Sequence, residues 1–335
     1  MHFSLVPLDF LNLLFVPLMA VTAVEVWRNR STLWDSDLTR QDRYLLQRLA
    51  IFWLLPVVVF CHELGHVAAI RLFGGTVAEF HFALIWGYVV PKGEFTPQQI
   101  VWTFFAGNLA QMLIGFLAGA AAAFATSPPV VALLVYLALW SVGGTAIVYA
   151  LLSLTGLYGD WVAIYTAPTP LLSAGIAVVH LAVAALVLWC LFGTGPKIWF
   201  ISRTQPEWLA AQKRLWAAVA ADPSAINCLD LARSFYSVGL ISQAEKWLRK
   251  ARRVDASMLD ALMLEASISF RRGHMGRAIE CYDKISRSQT VPNRLRARSL
   301  IALGRCQEAR KHKEQALRAY TEAIVLDPML ADART

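Results

Sequence analysis

The stretch Ile51-Phe-Trp-Leu-Leu-Pro-Val-Val-Val-Phe-Cys61-His62-Glu63-Leu64-Gly65-His66-Val-Ala-Ala-Ile70 buries three ionisable side chains in apolar sequence. The apolar run extends from Leu46 to Phe73, and runs of about 18 residues or more are the signature of membrane-spanning helices. Similar runs occupy Phe3 to Trp27, Ile100 to Thr126, Val130 to Leu154 and Leu171 to Phe192, giving five expected crossings. Met1-His2 opens the first run without the basic region of a secretory signal, and no small-residue cleavage site closes it, so it reads as an anchor.

Composition points the same way. Of 335 residues, 57% are hydrophobic and 16% charged, against about 25% charged in an ordinary soluble domain. Disorder is excluded. The formal charge of +8 averages two unlike halves: residues 194–335 hold 24 of the 31 Lys/Arg and 14 of the 23 Asp/Glu, whereas the first 193 are nearly neutral. The cysteines Cys61, Cys190, Cys228, Cys281 and Cys306 form no CxxC pair, which argues against a zinc finger or a disulfide framework.

Between the second and third runs, Gly74 to Pro91 alternates β-branched and aromatic residues between Gly-Gly and Pro, predicting one or two strands. At membrane depth their backbone groups must be paired or hidden, so a hairpin is expected in the interface or beside a protein-lined cavity.

The basic half repeats. Ala211, Ala244, Ala278 and Ala316 recur at spacings of 33, 34 and 38, each followed four residues on by Leu215, Leu248, Tyr282 or Tyr320. Ala218, Ala251, Ile285 and Ala323 follow three residues later, and Gly239 and Gly273 are 34 apart at the expected turns. This resembles the tetratricopeptide pattern, in which small residues let paired helices approach and large ones fill the gap. The resemblance runs from Trp208 to Asp332 and implies protein-partner binding.

Chemistry sits in the apolar half. Positions i and i+4 share a helix face, so His62 and His66 converge on one metal while Glu63 projects beside them, placed to take a proton from water activated by the ion. By composition, such a five-residue match is expected roughly 0.005 times in this chain. Ionisable groups within a membrane are expensive and mark function by default.

A catalytic zinc takes three protein ligands. Between Lys92 and Lys197 the only acids are Glu94 and Asp160, and Asp160 alone lies in the apolar stretch, with no basic neighbour in sequence to pair with. Asp160 is therefore the expected third ligand, with His180 and then His81 as competing candidates.

These residues resemble the site-2 protease family of intramembrane zinc metalloproteases over roughly residues 45 to 170. His62, Glu63 and His66 match its HExxH on a spanning helix, and Asp160 matches its LDG-type aspartate, here in Gly159-Asp160-Trp161. Ala106-Gly107-Asn108-Leu109-Ala110-Gln111 is similar to its AGPxxN element, and Gly74 to Pro91 to its hairpin. The resemblance implies one Zn2+ per chain on His62, His66 and Asp160, Glu63 as general base, Gln111 stabilising the oxyanion, and a transmembrane protein as substrate extended by strand pairing. The alternative is a membrane-anchored tetratricopeptide scaffold whose zinc site is structural or degenerate.

The expected fold is an all-α polytopic membrane protein with a small β hairpin, followed by an α-solenoid. Residues 1–195 form the membrane domain, with the HExxH helix at about 46–73 and the hairpin at about 74–97; 196–207 form a linker and 208–335 the repeats. The five arginines from Arg28 to Arg48 favour a cytoplasmic first loop, and with five crossings the repeats share that side. The resemblance implies the reverse for this loop. A break near Gly156 would then add a sixth pass and return the repeats to the cytoplasm of a bacterial-type cell membrane. The basic runs Lys246 to Arg253 and Arg294 to Arg298 lack a nucleic-acid fold signature, so lipid headgroups or solvent are the expected surroundings and no nucleic acid is expected.

Overall fold

The computed structural model describes residues 6–155 and 159–329 and divides the chain into two units, Met1–Pro206 and Glu207–Thr335. In the first unit, helix α1 (Val6–Arg28) leads through residues 29–39, which include one helical turn at Arg30–Leu33, to α2 (Arg40–Leu72), which carries the two histidines. The strands β1 (Thr76–Ala83) and β2 (Trp86–Lys92) follow. Then come α3 (Pro97–Phe124), α4 (Pro128–Ser153), the short α5 (Asp160–Thr166), α6 (Pro170–Phe192) and α7 (Thr194–Thr204).

Local sequence fixes the helix starts. Thr39 and Asp42 cap one another at the head of α2, and Thr96 and Gln99 do so at the head of α3. Each pair satisfies orphan amides reciprocally. Pro97, Pro128 and Pro170 stand at first helical positions, where the missing N–H costs nothing.

Among the described residues four helices, α2, α3, α4 and α6, are long and apolar enough to cross a membrane. The expected first crossing begins at Phe3, outside the described residues; α1 covers the rest of it. Polarity is inverted relative to a soluble protein: Leu117, Phe124 and Leu171 are 68%, 86% and 90% exposed, while His62, Glu63, His66, Asn108, Gln111 and Asp160 are buried. The break expected near Gly156 falls on residues 156–158, also outside the described residues. α5 adds no sixth crossing, because seven residues extend about 10 Å against an apolar thickness of about 30 Å.

Two stretches depart from the regular α-helix. Residues Ala50–Leu54 of α2 and Leu139–Tyr149 of α4 adopt the wider π-helical turn, a rare form that often marks functional sites. Arg48, just before the first, bonds Glu25 at 2.5 Å and Thr22 Oγ1 at 3.1 Å, tying α2 to α1.

The hairpin is antiparallel, with Ala83 opposite Trp86 and Val77 opposite Pro91. Leu84 takes a φ of 57° in the turn, and the register shifts between Val77 and Glu79. That irregularity lies beside Pro91, which has no N–H to give to the ladder.

Residues expected as a linker fold instead. Ile201 and Thr204 of α7 are buried, and Phe200 packs on the cluster of Leu33, Leu38, Leu45, Leu46 and Ala132. Ile198-Trp-Phe-Ile201 is too apolar to stay in water, and Arg203 donates to the carbonyls of Ala123 and Ala125.

The second unit consists of α8 (Pro206–Ala221) and three helix pairs: α9 (Ala225–Ser237) with α10 (Ile241–Val254), α11 (Leu259–Arg271) with α12 (Met275–Arg287), and α13 (Asn293–Ala309) with α14 (Lys313–Leu326). Each pair turns in the same way. Gly239 donates to Tyr236 O and Leu240 to Phe235 O; Gly273 donates to Phe270 O and His274 to Ser269 O. In the third pair Lys311 donates to Glu308 O and His312 to Gln307 O. The corner residues have φ of 81°, 77° and 64°, the left-handed cap that closes a helix. The four extra residues of the third repeat lengthen α13, and the corner falls on a lysine. Ala244, Ala278 and Ala316 are buried where the helices of each pair meet.

Candidate functional site

The site grows from two helices that approach unusually closely. A Cβ on Gly65 of α2 would lie 2.6 Å from the Ala106 carbonyl of α3, and a Cβ on Gly107 would lie 2.4 Å from His66 Nε2 and 2.8 Å from His62 Nε2. Glycine at both positions lets the helices pack backbone to side chain and places the imidazoles against α3.

His66 Nδ1 lies 2.7 Å from the Thr103 carbonyl. A carbonyl only accepts, so Nδ1 carries the proton and Nε2 is left to face His62 and Asp160. His62 Nε2 is 3.1 Å from His66 Nε2. From α5, Asp160 Oδ2 approaches His62 Nε2 at 3.0 Å and His66 Nε2 at 3.4 Å. The residues expected as metal ligands are thus gathered from two helices almost a hundred residues apart, all buried.

Asp160 is held through its neighbours. Its amide donates to the Tyr149 hydroxyl at 3.0 Å, and the indole of Trp161 donates to the Thr145 carbonyl at 3.0 Å. A Cβ on Gly159 would stand 2.7 Å from the Tyr149 hydroxyl, so only glycine fits before the aspartate. All these contacts fall on the π-helical stretch of α4 or its immediate end.

Glu63 is 3% exposed and its Oε2 has no hydrogen-bond partner among the described residues. Strand β2 lies over it, for a Cβ on Gly87 would be 2.8 Å from Glu63 Cγ. Together these groups line a cavity of about 190 Å³ that also includes Tyr88, Val89, Phe104 and Tyr149. The hairpin therefore forms one wall of the site.

Gln111 departs from its expected place. It is buried, but its Nε2 reaches the Ser141 carbonyl at 3.4 Å, and it does not line the cavity. One further helical turn along α3 carries it past the imidazoles, so the oxyanion role is not supported by its position. The competing ligands are also located. His180 bonds the Ala146 carbonyl at 2.6 Å and the Tyr165 hydroxyl, and stacks on Trp161 with centroids 3.8 Å apart. His81 stacks on Tyr88 and packs at a tilt against Trp86 on the hairpin. Neither joins the cluster.

Sequence reasoning missed Thr103 and Tyr149. The first acts through a backbone carbonyl, which no side-chain pattern reveals, and the second lies 11 residues before the aspartate with nothing but its hydroxyl to mark it.

The donor set fits zinc. Two imidazole nitrogens and a carboxylate are its usual hard-to-borderline ligands, and tetrahedral donors at about 2.0–2.2 Å stand about 3.3–3.6 Å apart, against the 3.0–3.4 Å between these atoms. The Thr103 carbonyl behind His66 is the outer partner that a metal-ligating histidine customarily has.

Comparison with protein-family models finds no match, and comparison with curated proteins finds none. Among solved structures, the chain is similar to a protein described as "Crystal structure of MamA", at 22% identity and a TM-score of 0.33, over 41% of this chain and 76% of that one.

Proposed function

We propose that this chain is an integral membrane zinc metalloprotease that cleaves transmembrane segments of other proteins, with its tetratricopeptide-like repeats recruiting a protein partner. The observation that carries the reading is the convergence of His62 Nε2, His66 Nε2 and Asp160 Oδ2 within 3.4 Å of one another, beside a buried carboxylate with one oxygen unpartnered among the described residues.

His62, His66 and Asp160 would hold one zinc ion. Bound there, it supplies Lewis acidity that polarises a peptide carbonyl and brings the pKa of water to about 7. Glu63 accepts the proton of the attacking water and returns it to the leaving amine, the role that its place on the cavity wall and its unpartnered Oε2 support. Strand β2 orients substrate: a helical peptide hides its carbonyls, and pairing along Gly87 to Val89 would hold it extended beside Glu63. The apolar helices around the site keep bulk water away, so the few polar groups act in a low-dielectric setting.

Localisation follows from the same helices. With α1 and the four long apolar helices as five crossings, the arginine-rich first loop and the repeats share one side, which the positive-inside rule makes cytoplasmic.

The test uses Glu63→Gln in proteoliposomes with a panel of tagged transmembrane segments. The variant is expected to bind zinc as the parent does and to cleave nothing. Equal cleavage by variant and parent refutes the catalytic reading, and a parent that holds zinc but cleaves no segment favours the scaffold alternative.

A further inference from the structure

Part of the repeat unit's positive charge is neutralised within the unit. Arg233 pairs with Asp230 and Asp260, Arg252 and Arg277 with Glu265, Arg272 with Glu245, and Arg287 with Asp283. Among the basic residues without any such partner among the described residues are Lys213 and Arg214 of α8, and Lys246, Arg249, Lys250 and Arg253 of α10, all exposed.

Four of these share one helix face, and Lys213 adjoins them through Trp216. Positions 246, 249, 250 and 253 are spaced i, i+3, i+4 and i+7, so they share one face of α10. Trp216 of α8, three residues beyond Lys213, packs edge-on against Trp247 of α10 with centroids 4.9 Å apart, and Lys250 Nζ sits 4.0 Å over the Trp247 ring. The two helices are therefore joined at the patch. Trp216 remains 46% exposed and Val254, four residues after Lys250, 61% exposed. Unpaired cations around a half-exposed indole and an exposed aliphatic side chain are the make-up of a surface that meets lipid headgroups.

We propose that this α8–α10 face binds an anionic bilayer surface. The patch keeps its charge: Arg252 on the same helix and Arg272 and Arg277 beyond it are neutralised by carboxylates, and these residues have no such partner among the described residues. Supply of the surface is built into the chain, since Glu207 follows the last long apolar helix by only fourteen intervening residues. Each basic residue near such a surface raises its occupancy by about fivefold and the effect is screened by salt. The inference rests on the first unit being membrane-spanning, and it is independent of catalysis.

The experiment footprints lysines on the full chain in nanodiscs of phosphatidylcholine alone or with one part in three phosphatidylglycerol. A short pulse of amine-acylating reagent is read at each lysine by mass spectrometry. In the anionic discs Lys213, Lys246 and Lys250 are expected to react about threefold or more slowly, while Lys284, Lys311 and Lys313, exposed elsewhere on the same unit, keep their rates. Protection should vanish at about 1 M salt and in the double variant Arg249→Gln, Arg253→Gln. Equal rates in both discs, or slowing of all six lysines alike, overturn the proposal. So does protection by an RNA oligonucleotide in neutral discs without protection by anionic lipid. A chain that fails to enter either disc overturns the membrane reading together with this one, whereas an incorporated chain with uniform labelling overturns this one alone.

Discussion

Replacing Gly107 by alanine should weaken zinc binding more than it weakens the fold. The new methyl would sit 2.4 Å from His66 Nε2 and 2.8 Å from His62 Nε2, where comfortable contacts begin at about 3.5 Å. Something must move by about 1 Å. His66 cannot easily yield, because that displacement breaks its 2.7 Å bond to the Thr103 carbonyl and releases the ring from the orientation that aims Nε2 at Asp160. Losing such an outer partner costs about 10–100-fold in metal affinity, and the overpacking itself costs about 1–3 kcal/mol. Gly119 on the same helix is the control, since its added Cβ would meet only Ala138 Cβ at 3.6 Å, an ordinary contact. Competition against a chromophoric chelator in detergent gives the affinities, and thermal unfolding of the same samples gives the stabilities. We expect Gly107→Ala to bind zinc about 10–100-fold more weakly and Gly119→Ala to bind as the parent does. Parental affinity in Gly107→Ala would refute the packing of both imidazoles against α3.

Three further outcomes are expected. Tyr149→Phe removes the acceptor of the Asp160 amide, so zinc affinity should drop by about 10–100-fold; an unchanged titration would show that the amide bond does not position the carboxylate. Lys311→Gly relieves a φ of 64° at the last repeat corner and should stabilise the repeat unit by about 1 kcal/mol, seen as a higher unfolding midpoint, whereas a lower midpoint would mean the lysine side chain contributes more than the strain costs. Burial pushes the Cys306 thiol up to about 11, so at pH 8 roughly one thiol in a thousand is ionised and alkylation of native protein should spare it. Because the folded value lies above the unfolded one, this group's contribution to stability is complete below the usual thiol range and is lost as pH rises toward 11; rapid native labelling of Cys306 at pH 8 would contradict its burial.

What sequence reveals depends on how far apart the interacting groups are along the chain. The pair His62 and His66 is a one-turn relation, the hairpin a period of two, and the repeats a period of 34, each visible because a local geometry stamps itself on residue spacing. Asp160 was reachable by elimination, as the only acid in the apolar stretch. How Asp160 is held was not, because its supports come from a π-helical stretch that carries no distinctive period. Three carbonyls of that stretch, Ser141, Thr145 and Ala146, accept donors from Gln111, Trp161 and His180 on three other helices. An amide at position 111 therefore looks free for substrate in the sequence, yet in the fold it braces α4. The same stretch accounts for Trp161, which occupies the position where the resembled aspartate motif has glycine. Its indole is bonded to Thr145 and stacked on His180, which is in turn bonded to Ala146. The aspartate is thus clamped between a tyrosine bond on its own amide and an anchored tryptophan one residue on, so a rigid side chain here does the positioning that a tight glycine turn would otherwise provide. That arrangement makes the π turn, and not the apolar helices around it, the element on which the geometry of the proposed third ligand depends.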